Sequence, residues 1–69
     1  MSAVLSPRES EVAGFVARGL RNKEIAAELG LQECTVKRHV STALRKTGAR
    51  NRVALAAWLK NQDAKAEEN

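Results

Sequence analysis

Three glycines, Gly19, Gly30 and Gly48, cut most of the chain into segments that carry apolar residues at helical spacing, and this punctuation limits the fold more than any other feature. Ser6-Pro7-Arg8-Glu9 is a capping box with proline at the first helical position. In such a box the serine hydroxyl and the glutamate carboxylate accept from backbone N–H groups that the first turn leaves unpaired. Val12, Phe15, Val16 and Leu20 follow as an apolar stripe, which predicts a helix over 7–18 closed by Gly19. Gly14 lies inside it and costs about 1 kcal/mol relative to alanine, but in this register it points away from the stripe. Asn22 is the expected cap of a second helix over 23–29, with Ile25, Ala26 and Leu29 inward and Gly30 at its end. Leu31-Gln32-Glu33 turns the chain into a third helix over 33–47, with Gln32 or a neighbour as cap and Gly48 beyond the last turn. Asn51 is expected to cap a fourth helix reaching about residue 61, carrying Val53, Leu55, Ala56, Trp58 and Leu59.

Residues 1–4 are then a short lead, and 62–69, which lack an apolar stripe, read as a frayed or disordered polar tail. No segment has a useful strand pattern, and 69 residues make one domain with a modest core. The expected fold is all-α: four helices around a single small core, spanning 5–61.

The third segment is chemically one-sided. Cys34 to Arg52 holds six Lys or Arg side chains and one His, with no acidic residue. Val36, Val40 and Leu44 recur every four residues and share one helix face, while Lys37, Arg38, Ser41, Thr42 and Arg45 fall on the other. One face can pack while the other meets an anion. The formal charge of +4 and a pI near 9.9 agree with an acidic partner, although a merely solvated basic surface would give the same totals. Position discriminates better: the acids lie at Glu9, Glu11, Glu24, Glu28 and Glu33 and again at Asp63, Glu67 and Glu68, so the basic middle is local.

Catalysis finds no support, because the sequence offers no carboxylate pair, no Ser/His/Asp set, no metal-ligand cluster and no glycine-rich phosphate loop. No cofactor is expected. Cys34 and His39 do not form a metal pair, since five residues turn through about 500° and leave them on different sides of a helix. The lone Cys34 excludes an intrachain disulfide and reads as a small filler at the helix start. No apolar run approaches the roughly 20 residues that span a bilayer, and the amino terminus lacks the pattern of a signal peptide. A soluble protein of the cytoplasm is expected, with no membrane partner.

Two helices joined by about three residues that include Gly30 make a helix-turn-helix pattern. Leu5-Ser-Pro-Arg-Glu-Ser-Glu-Val12, Gly19-Leu-Arg-Asn-Lys-Glu-Ile-Ala26, Thr35-Val-Lys-Arg-His-Val40 and Asn51-Arg-Val53, in this order and spacing, resemble the LuxR-type (GerE-like) helix-turn-helix over about residues 5–59. The resemblance implies a tetrahelical DNA-binding domain of bacterial transcription regulators, standalone or detached from a larger protein. Its third helix would read the major groove and its fourth would serve dimerisation. The chain departs from the family pattern at Gln32, where Ser or Thr usually caps the third helix, and at Cys34. It also departs at Ala13, Ala43, Thr47 and Ala49, where larger apolar residues are common, so a less filled core is expected.

Carried over by position, Lys37, Arg38 and Ser41 match base-reading residues, and Arg45, one turn beyond, joins them as a base or phosphate contact. Lys and Arg can donate to guanine O6 and N7, and Ser donates or accepts at short range. Thr35, His39 and Lys46 match positions that touch the DNA backbone, although His39 reads equally as a half-buried structural residue. Lys23, near the amino terminus of the second helix, is a further phosphate candidate. Val53, Ala56, Ala57 and Lys60 match the family's dimer face. The expected assembly is a weak homodimer, or a monomer that pairs on double-stranded DNA at half-sites about 34 Å apart. The alternative is an interaction module that binds an acidic component of the transcription machinery, and RNA polymerase is the candidate protein partner. Gly48 ends the third helix before Arg50 and Arg52, which places those charges in the turn toward the fourth.

Overall fold

A computed structural model describes residues 5–68, and these form four helices without a strand: α1 (Pro7–Ala17), α2 (Asn22–Leu29), α3 (Glu33–Thr47) and α4 (Arg52–Glu68). The all-α, four-helix architecture expected from the punctuation is the one observed.

The start of α1 follows its capping box closely. Glu9 N–H donates to Ser6 Oγ at 3.2 Å, and Ser6 N–H donates to Glu9 Oε1 at 3.0 Å. The start of α2 lies one residue earlier than expected. Arg21 is the cap residue, its N–H donating to Glu24 Oε1 at 2.7 Å, and Asn22 takes the first helical position. Asn22 does not cap because its side-chain oxygen accepts from Arg52 instead. Gln32 occupies the cap position of α3 but makes no side-chain capping bond. Gly48 closes that helix at φ +75°, a left-handed conformation that side chains with a Cβ rarely adopt, and the next N–H, that of Ala49, donates to Leu44 C=O at 3.0 Å.

Asn51 caps α4, with Ala54 N–H donating to its Oδ1 at 2.9 Å. The helix does not stop near residue 61; it continues to Glu68. No Gly or Pro follows Gly48, and Ala, Lys, Glu and Gln, which dominate the last residues, are good helix formers even without an apolar stripe. The polar stretch expected as a tail is thus part of α4 over 62–68, while Asn69 and the lead over residues 1–4 lie outside the described residues.

Every helix contributes to one core. Val12, Ala13 and Val16 of α1, Ile25 and Ala26 of α2, Val36, Val40 and Ala43 of α3, and Leu55 of α4 are buried, together with Leu5 ahead of the first cap. The α3 stripe is rotated slightly from expectation, since Ala43 is fully buried whereas Leu44 is only partly so. Ala13 of α1 is also fully buried, so both α1 and α3 contribute methyl groups to the core. Phe15, Leu20, Trp58 and Leu59 surround this centre half-buried, and the Arg18 guanidinium lies 5.6 Å from the centroid of the Phe15 ring.

A Cβ built at Gly14 meets nothing within 4 Å, and the backbone there is ordinary helix. Gly14→Ala is therefore expected to stabilise the domain by about 0.5–1 kcal/mol, raising the thermal midpoint by several degrees, on the order of 4 °C. An unchanged or lower midpoint would refute the open-space reading.

Candidate nucleic-acid interface

Helix α3 places the basic side chains by its own periodicity. At about 100° per residue, Lys37, Ser41, Arg45 and Arg38 fall within an arc of about 100°, opposite the sector of Val36, Val40 and Ala43 that enters the core. All four are exposed. Among the described residues, neither Lys37, Arg38 nor Arg45 has an ion-pair partner, so three cations face solvent from one surface. Such a face supplies donors for phosphate oxygens and base edges at the width of a single helix, which the major groove admits.

One flank of this arc, beyond Arg38, carries Thr35, His39 and Lys46 within about 40° of one another. Thr35 and His39 are half-buried, so the structural aspect of His39 is present in the fold. Lys46 is exposed at the last turn but not free: its Nζ donates to Glu9 Oε1 of α1 at 2.9 Å. Among the described residues Glu9 is the buried charged one, 8% exposed. Its carboxyl is held below the ordinary glutamate range first by the Ser6 backbone N–H and then by the Lys46 ammonium. Lys23 is exposed in the first turn of α2, on a separate element from the α3 cluster.

The sequence did not reveal the role of two residues. A capping-box glutamate looks locally satisfied, and nothing in its spacing announces a lysine 37 positions away. Arg52, assigned above to a charged turn, is half-buried at the start of α4 and acts as a strut. One guanidinium nitrogen donates to Asn22 Oδ1 at 2.6 Å and the other to Leu20 C=O at 2.8 Å, tying α4 to the segment that leads into α2. Such a fork geometry suits arginine, but only the tertiary fold brings the acceptors to it. Cys34, read above as a filler, is instead exposed, with Sγ 3.6 Å from Gln32 Oε1.

On α4, the inward Leu55 is flanked by an outward face. Val53 is 79% exposed, an unusual position for a large apolar side chain, and Ala57 and Lys60 are exposed beside half-buried Ala56. Val53 and Ala56 also line an open groove with Leu20 and Val16 of the α1 side. Among the described residues, no helix is long and apolar enough to cross a membrane.

The sequence that forms these helices is similar to known proteins. A family profile described as "Bacterial regulatory proteins, luxR family" matches residues 3–59. The nitrate/nitrite response regulator protein NarL of Escherichia coli (strain K12) is 44% identical over 55 residues, covering 80% of this chain and 26% of NarL. The two-component response regulator PprB of Pseudomonas aeruginosa is 52% identical over 55 residues, 80% of this chain and 20% of PprB. The transcriptional regulatory protein UhpA of Salmonella typhimurium is 50% identical over 52 residues, 75% of this chain and 26% of UhpA. The chain thus spans about a quarter or less of each of these relatives.

Proposed function

Because the chain belongs to the LuxR family of bacterial regulatory proteins, as a DNA-binding transcription regulator domain, we propose that it binds a specific operator as a pair of domains, each inserting α3 into the major groove. The observation that carries this reading is the outward face of α3, where Lys37, Arg38 and Arg45 are exposed around Ser41 and have no ion-pair partner among the described residues. Lys37, Arg38, Ser41 and Arg45 read base edges. Thr35, His39 and Lys46 on the flank, with Lys23 at the start of α2, meet backbone phosphates. Its place of action is the cytoplasm, where the DNA is.

Selection of bound duplexes from a random pool tests the proposal, followed by titration of the recovered site against salt. A recovered motif, with affinity that falls by orders of magnitude between low and moderate salt, is the expected result. Failure to bind any duplex at low salt, by protein that retains its helical signal, would overturn it. Binding to an acidic protein in place of DNA would favour an interaction module.

The pairing surface we assign to α4 is Val53, Ala56, Ala57 and Lys60. Small side chains at Ala56 and Ala57 let two helices approach, and the exposed Val53 gains a partner. The patch is small, so the pair is weak in solution and strengthened on DNA. Val53→Glu is expected to convert cooperative binding on a two-half-site duplex into independent, weaker binding of single domains. Its stability should stay within about 0.5 kcal/mol, as for other exposed positions. Cooperativity equal to that of the unsubstituted protein would remove Val53 from the pairing surface.

A further inference from the structure

We propose that Glu9, an acidic residue on a basic domain, is a positioning residue for DNA binding: its bond to Lys46 holds that ammonium on the flank of α3 where it meets a backbone phosphate. The proposal rests on the DNA-binding reading above and assigns a role to a residue on α1, outside the helix-turn-helix.

The geometry runs through a chain of fixed groups. Glu9 Oε1 accepts from Ser6 N–H at 3.0 Å and from Lys46 Nζ at 2.9 Å, so the capping bond at the start of α1 also orients the acceptor of the lysine. The carboxylate lies beneath and the ammonium above: the Glu9 side chain is 11% exposed and that of Lys46 is 41% exposed. An ammonium has three donors, and Glu9 takes one, which leaves the others directed at solvent. Lys46 shares its helix sector with Thr35 and His39, next to the base-facing arc on the Arg38 side. Glu9 also sits at the positive end of the α1 dipole and Lys46 at the negative end of the α3 dipole, so each charge is favoured where it stands.

A free lysine is a flexible four-carbon stem that loses its freedom on meeting a phosphate. Here much of that freedom is already gone before DNA arrives. The carboxylate that removes it is shielded from the phosphates by the ammonium it holds.

This reading predicts the opposite sign from simple electrostatics. Removing a negative charge near DNA should strengthen binding if charge alone matters. The test measures affinity for the selected duplex across a salt series with the full chain, Glu9→Gln, Glu9→Asp and Lys46→Gln, with far-UV circular dichroism of each. Glu9→Gln is expected to weaken binding at low salt, by about fivefold to tenfold, and to lower the salt slope by about 0.9, the same loss as Lys46→Gln. Glu9→Asp keeps the charge but withdraws the carboxylate by one methylene, and it is expected to show the same loss. Tighter or unchanged binding by Glu9→Gln would overturn the proposal, and so would an unchanged slope in Lys46→Gln. If Glu9→Gln loses its helical signal, Glu9→Asp carries the comparison, and the unsubstituted slope and affinity in that variant would overturn the proposal. An unsubstituted chain that binds no duplex would instead sink the DNA-binding reading itself.

Discussion

Leu55→Ala is expected to lower stability by about 2–5 kcal/mol, a large part of the about 3–10 kcal/mol that a domain of this size holds in total. Leu55 is fully buried and, among the described residues, is the buried anchor that α4 contributes to the core. The buried cluster that Leu55 joins includes Ala13 and Ala43, whose single methyl groups add little that could close a cavity. The loss should therefore fall in the upper part of the range. Val53→Ala, two residues away but 79% exposed, should change stability by no more than about 0.5 kcal/mol. Urea denaturation followed by circular dichroism measures both. The single tryptophan, Trp58, packs half-buried at the edge of the core and provides a second probe by fluorescence. Equal midpoints for the two variants would contradict the assignment of inner and outer faces on α4.

Arg38→Ala is expected to weaken binding to the selected operator by about 1–3 kcal/mol, five-fold to over a hundred-fold, and to relax preference at one base position. Lys37→Ala should behave likewise at a neighbouring position. Both side chains are exposed on the outward arc of α3, and neither has an ion pair to lose among the described residues, so folding stability should be unaffected. Comparison of operator and random duplex separates the possibilities. A residue that reads a base loses affinity mainly on the operator, whereas one that touches phosphate loses it equally on both. Equal loss would move Arg38 or Lys37 from the base-reading set to the backbone-contacting set.

The parts of this domain that were legible in its sequence are those set by local chemistry. Ser6 and Glu9 close a capping box across three residues, Gly48 takes a left-handed backbone, and Val36 and Val40 face inward because a helix repeats every 3.6 residues. The outward placement of Lys37, Arg38, Ser41 and Arg45 follows from the same period. What escaped is what depends on distant segments meeting. Asn22 has the right chemistry for a cap, but Arg52, 30 positions later, takes its oxygen. Lys46 resembles any cation at a helix end until Glu9 is seen beneath it. The length of α4 escaped for another reason: an apolar stripe measures burial, and a helix built of good formers can continue where burial is not the criterion.

Arg52 joins the first turn of α4 to Leu20 C=O and Asn22, at the entrance to α2. If two domains pair through α4, this strut makes each recognition element and the twofold contact parts of one stiff frame. The pair then works as a caliper whose opening is fixed in the protein. Operators with their half-sites moved by even one base pair, which both separates and rotates them, would have to be bent or twisted to fit.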